Sequence, residues 1–174
     1  MVCFLLHTSL ADLCFPERYG KKKELELIDI EEDLEHKHED LHPKEKKHMR
    51  ILVVDELSDT RTIHEKLLAE AGHTVVLAGS GAEALNAIKK ANVDAAYGNK
   101  ETAFDIVLLS HLIHGLTAPQ TIEKIRHQGF HGFIIGLTVG SSPADLDEMT
   151  KAGAEQTIPK PLTLSKFKKA LKGE

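Results

Sequence analysis

ILVVDE (51–56) sets four consecutive apolar residues, three of them β-branched, directly ahead of an acidic pair, Asp55 and Glu56. A run that short and apolar throughout reads as a strand buried on both faces. Strands of that kind belong to parallel sheets covered by helices on both sides. The pattern repeats outward from this strand. Residues 58–71 put Ile63, Leu67, Leu68 and Ala71 on one helical stripe, read here as core. HTVVLA (73–78) is a second strand. Ser80 and Glu83 make a capping-box pattern ahead of Ala84, Leu85 and Ile88. DIVLL (105–109) is a third strand, and helical spacing returns at Ile122 and Ile125. FIIGL (133–137) is a fourth strand. Ser142 is placed to cap a helix that starts at Pro143 and carries Leu146 and Met149, with Gly153 at its end. QTI (156–158) is a short fifth strand, and Leu164, Phe167 and Leu171 space a last helix. This alternation predicts an α/β fold with a five-stranded parallel sheet in three layers, joined by right-handed crossovers. Ala91–Ala103 is polar, breaks helical period, and is read as a surface insertion.

The 174 residues have room for one domain of ordinary size plus an extension. The composition changes near residue 50. Residues 1–50 hold 9 basic and 12 acidic side chains, so 1–48 is read as a charged extension or linker and 49–174 as the domain. Leu27, Ile30, Leu34 and Leu41 share one helical stripe, which leaves a short amphipathic helix open beside a solvated linker. Pro43 ends any helix there. His36, His38 and His42 lie in this charged run. Met1–Leu13 is mildly apolar but has no basic start, is interrupted by His7 and lacks a small-residue cleavage site, so it is not expected to be a signal peptide.

Charge and composition narrow the function. The net charge is −5, with no basic excess for nucleic acid, and there is no Trp and only two Tyr for base stacking. No run approaches the roughly 18 apolar residues of a membrane span. Cys3 and Cys14 are too few for a disulfide framework, which suits a reducing, cytoplasmic setting. No glycine-rich phosphate loop follows the first strand, so nucleotide binding is not expected.

In an open parallel sheet, ligands bind beyond the carboxyl ends of the strands. The residues there are Asp55 and Glu56 after the first strand, Ser110 and His111 after the third, Thr138 after the fourth, and Lys160 and Pro161 after the fifth. Paired carboxylates suit a hard cation such as Mg²⁺, and a lysine with hydroxyls suits phosphoryl oxygens. His111 and His114 form an H-x-x-H spacing, which is too few ligands for a closed zinc site.

ILVVDE (51–56), SGAEAL (80–85), FDIVLLS (104–110), IIGLT (134–138) and GAEQTIPKP (153–161), in that order and spacing, resemble the receiver domain of two-component response regulators. The wording of the last two stretches and the insertion are similar to receivers of eukaryotic hybrid histidine kinases. The resemblance covers Arg50 to Lys172 and implies a flavodoxin-like fold. It further implies phosphoryl transfer from a phosphohistidine to an aspartate beside bound Mg²⁺. Asp55 and Glu56 match the acidic pair, Thr138 the hydroxyl and Lys160 the lysine of the phosphoryl cradle. The bond before Pro161 is often cis in such domains.

Ser110 stands where that family has the phosphoacceptor aspartate, and Thr157 where it usually has an aromatic switch residue. Asp105 cannot substitute for the acceptor, because it opens the strand roughly 17 Å away. A serine hydroxyl with no evident base is a poor nucleophile, and its phosphate would be a stable ester. The site also loses a carboxylate, so any Mg²⁺ site on Asp55 and Glu56 is expected to be weak. The expected function is therefore a pseudo-receiver in phosphorelay signalling. It would be no enzyme, and would act by binding a histidine kinase or a histidine phosphotransfer protein. The resemblance implies a partner surface that includes Met149, Thr157, Lys166 and Lys169. Two alternatives stay open: a receiver phosphorylated at another residue, and a scaffold acting through its N-terminal segment.

Overall fold

The computed structural model describes residues 48–140 and 143–173. The extension at 1–47, with Cys3, Cys14, its histidines and its leucine stripe, lies outside the described residues, as does Ser142.

Among the described residues five strands and five α-helices alternate: β1 (Arg50–Val54), α1 (Ser58–Glu70), β2 (Thr74–Ala78), α2 (Gly81–Ala96), β3 (Ile106–Ser110), α3 (Ala118–His127), β4 (Phe133–Thr138), α4 (Pro143–Lys151), β5 (Gln156–Pro159) and α5 (Leu164–Lys172). All strand pairs are parallel, in the order β2-β1-β3-β4-β5. This is the flavodoxin-like α/β fold read from the sequence.

The alternation of side chains along each strand divides the core between two faces. Leu52, Val54, Val107, Leu109 and Ile134 face one way, onto α2, α3 and Met149 of α4. Ile51, Val53, Ile106, Leu108, Ile135 and Leu137 face the other, onto Leu68 of α1 and Phe167 of α5. Each such side chain contributes about 1.5–3 kcal/mol when fully buried. The central strands β1, β3 and β4 are therefore apolar on both faces. At the edges, β2 and β5 are only partly buried, because each has a neighbour on one side alone.

Three sequence expectations are corrected. Ile63 is not core: it is 63% exposed, while His64 is buried beside Leu68 on the same helix. The first turns of α1 face the polar rim of the sheet, where an imidazole fits better than a butyl group. The stretch 91–103 is not all insertion: α2 continues to Ala96 with Ala91 buried, and a 3₁₀ turn at Lys100–Thr102 precedes β3. Met149 is fully buried against β4, so it cannot belong to a partner surface.

The caps fit the sequence. The Ser80 hydroxyl accepts from the Glu83 amide at 3.2 Å, while the Glu83 carboxylate accepts from the Gly79 amide at 2.7 Å, one residue earlier than in a standard box. Gly153 ends the α4 turn with φ +111, a left-handed conformation open to glycine. Among the described residues no helix is long and apolar enough to cross a membrane.

Candidate functional site

The carboxyl ends of β1, β3, β4 and β5 meet at one rim. Asp55 follows β1 and is 1% exposed. Its amide donates to the Ala78 carbonyl at 3.2 Å. Its Oδ1 accepts from the Leu57 amide at 3.0 Å and its Oδ2 from Lys160 Nζ at 2.5 Å. Arg61 Nη1 donates to the carbonyls of Asp55 and Glu56 at 2.7 and 3.0 Å, which fixes the turn into α1.

Ser110 is the last residue of β3, opposite Leu137 of β4, and is 0% exposed. Its Oγ accepts from Lys160 Nζ at 2.9 Å. The Lys160 amide donates to the Thr138 carbonyl at 2.8 Å, which ties the end of β5 to the end of β4. The peptide bond between Lys160 and Pro161 is cis. Thr138 is buried, and its Oγ1 has no hydrogen-bond partner among the described residues.

The structure thus brings Asp55, Ser110 and Lys160 into direct contact, with Thr138 joined through the backbone. Glu56 turns away. Its carboxylate pairs with Nδ1 of His114 on the loop after β3, not with Lys160. His114 is exposed, as a loop histidine should be, but it is not idle. Thr157 is half-buried on β5 opposite Gly136. A Cβ at Gly136 would meet the Met149 methyl at 2.6 Å and the Thr157 methyl at 3.2 Å, so β4 packs closely there.

The electrostatics follow from burial. A carboxylate as enclosed as Asp55 is costly without a counter-charge, and Lys160 supplies it. Two of the three ammonium protons are thereby engaged, by Asp55 and Ser110. Sequence reasoning missed His64. It is 3% exposed and its Nδ1 lacks a partner among the described residues. Burial pushes its pKa down; Asp55 opposes this and Lys160 reinforces it. The visible signal was its spacing of four from Leu68, outweighed in a hydrophobicity reading by Ile63.

Mg²⁺ needs oxygen ligands in near-octahedral geometry, commonly one or two carboxylates with waters. Here both Asp55 oxygens are hydrogen-bonded, the Glu56 carboxylate holds His114, and the Ser110 hydroxyl faces an ammonium. Among the described residues no group of three or more His, Cys, Asp or Glu side chains is arranged to hold a metal. As arranged, these residues leave few unengaged oxygens for Mg²⁺.

The response regulator receiver domain family matches over residues 51–172. The chain belongs to that family. Two-component response regulator 24 of Arabidopsis thaliana is 29% identical over 116 residues, which cover 67% of this chain and 76% of that protein. The CAI-1 autoinducer sensor kinase/phosphatase CqsS of Vibrio cholerae is 32% identical over 118 residues, 68% of this chain but only 16% of its own length. Probable histidine kinase 2 of Oryza sativa is 25% identical over 132 residues, 72% of this chain and 13% of that protein. The receiver therefore spans most of a short response regulator and a small part of each sensor kinase. The chemotaxis protein CheY4 of Vibrio cholerae superposes with a TM-score of 0.59 at 23% identity, covering 72% of this chain and 98% of that one. That likeness shows the fold. This is a receiver domain of two-component phosphorelay signalling.

Proposed function

We propose that this domain is a pseudo-receiver, which serves the phosphorelay by binding a protein and not by accepting a phosphoryl group. The observation that supports the reading is the Ser110 hydroxyl at the carboxyl end of β3, fully buried and hydrogen-bonded to Lys160. In the receiver family that place belongs to the acceptor aspartate. Lys160 donates to the serine there, and the Asp55 carboxylate is held by Lys160 and the Leu57 amide. Its oxygen is not activated as a nucleophile.

Internal pairing gives the second half of the reading. Lys160 neutralises Asp55, and His114 engages Glu56. A pocket whose carboxylates are already engaged has little to gain from Mg²⁺, so divalent affinity is weak. It also holds one arrangement, since no ligand distinguishes two. The partner is a histidine kinase or a histidine phosphotransfer protein, the classes with which receivers work. The test is calorimetric titration of the full chain with a histidine phosphotransfer protein, with and without acetyl phosphate and Mg²⁺. The expected result is binding with the same affinity in both. A phosphodonor-dependent affinity would overturn the reading.

A further inference from the structure

The amino-terminal ends of β1, β2 and β3, at the opposite end of the sheet from the Lys160 rim, border a cavity of about 630 Å³. One wall comes from the sheet. Arg50 opens β1, Thr74 opens β2, and Asp105 immediately precedes β3. The other wall comes from the stretch between α2 and β3, through Asn99, Glu101 and Thr102. The part of 91–103 that is not helix α2 therefore encloses a space beside the sheet. Its volume suits a small molecule.

The lining groups divide into those the protein has used and those it has not. The His48 ring is engaged at both nitrogens, with the Gly72 carbonyl at 2.5 Å and the Thr74 hydroxyl at 3.0 Å. The Thr102 hydroxyl donates to the Asn99 carbonyl at 2.7 Å, which braces the turn. Asp105 Oδ2 accepts from the Arg50 amide at 2.9 Å. Three lining side chains make no hydrogen bond or ion pair among the described residues: Arg50, Asn99 and Glu101.

Arg50 is already oriented. Its guanidinium lies over the Phe104 ring, with Cζ 5.1 Å from the centroid, and its Nε is buried. The two Nη groups are not buried and are left for a ligand. A guanidinium held in one plane with both Nη groups open presents a fork that fits a carboxylate. Glu101 is exposed on the 3₁₀ turn and offers only acceptors. One unpaired cation and one unpaired anion thus line a common space without pairing with each other. A simple anion would be repelled by Glu101, and a simple cation by Arg50. A molecule with a carboxylate at one end and an ammonium at the other satisfies both, and the Asn99 amide adds a donor and an acceptor between them.

We propose that this cavity binds a small zwitterion of the amino-acid type, its carboxylate on the Arg50 fork and its ammonium on Glu101. The proposal takes nothing from the pseudo-receiver reading.

The test is a solution NMR titration of the isotopically labelled full chain with glycine, β-alanine, 4-aminobutanoate and 5-aminopentanoate, which space the two charges progressively further apart. Butanoate and butylammonium are the single-charge controls. The expected result is a saturable shift at the Thr74 and Thr102 amides with at least one of the amino acids, and affinity at least about fivefold weaker for both controls. Arg50→Lys, which keeps the charge and loses the fork, and Glu101→Gln should each weaken that binding. Glu101 is exposed, so Glu101→Gln carries the test if Arg50→Lys perturbs folding. No saturable shift with any of the amino acids, a control that binds as tightly, or unchanged binding in Glu101→Gln would overturn the proposal. Neither a phosphodonor nor a partner protein enters the titration, so its failure leaves the pseudo-receiver reading standing.

Discussion

The Lys160 ammonium stands 2.5 Å from Asp55 Oδ2, an ion pair that closes the rim between β1 and β5. Asp55 has almost no access to water, so its stability depends on this cation. Lys160→Met should destabilise the domain by about 3 kcal/mol, because it leaves an uncompensated buried charge. Adding Asp55→Asn should recover more than half of that loss. Urea unfolding of the two variants checks it. A loss below about 1 kcal/mol for Lys160→Met would mean that the pair is solvated like a surface bridge.

Glu56 is held by His114 rather than by the central lysine. Ser110→Asp should therefore raise Mg²⁺ affinity only in part, since one of its carboxylates is still engaged. Ser110→Asp with His114→Ala should bind Mg²⁺ more tightly than Ser110→Asp alone, by up to about fivefold, the range of an exposed ion pair. Calorimetry with MgCl₂ distinguishes the two. Equal affinities would show that His114 does not compete.

His64 and His73 are both pushed below the ordinary 6.5 by burial. The unfolded chain then binds protons that the folded chain refuses, so stability rises with pH wherever that difference exists. The contribution is present in full above 6.5 and is lost progressively as the pH falls from there towards the depressed folded values. His64→Gln should flatten the fall in stability between neutral and mildly acid pH. Thermal unfolding across that range measures it. An identical pH profile in His64→Gln and the unaltered chain would contradict it.

Arg126 pins α3 to two loops, the one that follows it and the one between α4 and β5. Its guanidinium donates to the carbonyls of Gly153, Phe130 and Gly132 and pairs with Glu155, whose other oxygen accepts from the Ile134 amide at 2.6 Å. Burial lowers its pKa and Glu155 counters that. Arg126→Ala should cost about 3 kcal/mol, since it orphans part-buried carbonyls and a partly buried carboxylate together. Chemical denaturation reads the loss, and Arg126→Lys should rescue little, because an ammonium cannot span the fork.

The central strands were legible because ILVV, IVLL and FIIGL leave no polar residue to face water. Asp55, Ser110 and Lys160 were legible as one site because each sits at the end of a strand, and parallel strands end on one rim. The phase of α1 was not legible. Hydropathy favours Ile63 for the core, while the polar pocket at the start of α1 favours His64. Met149 was misread for a related reason: a family surface was transferred to α4 without knowledge of which face of α4 meets Gly136. The Arg126 contacts left no sequence signal, because most of its partners are backbone carbonyls. Thr117 and Gln120, a capping box at the start of α3, did carry a signal in their spacing and were passed over.

The hydroxyl at 110 should leave this site without a phosphoryl acceptor. Incubation of the full chain with acetyl phosphate and Mg²⁺, read by intact mass spectrometry before and after hydroxylamine, tests it most directly. No phosphoryl adduct is expected on the natural chain, under conditions in which a receiver with an intact acceptor aspartate is labelled. A hydroxylamine-labile adduct would place an acyl phosphate on one of its carboxylates and contradict the account.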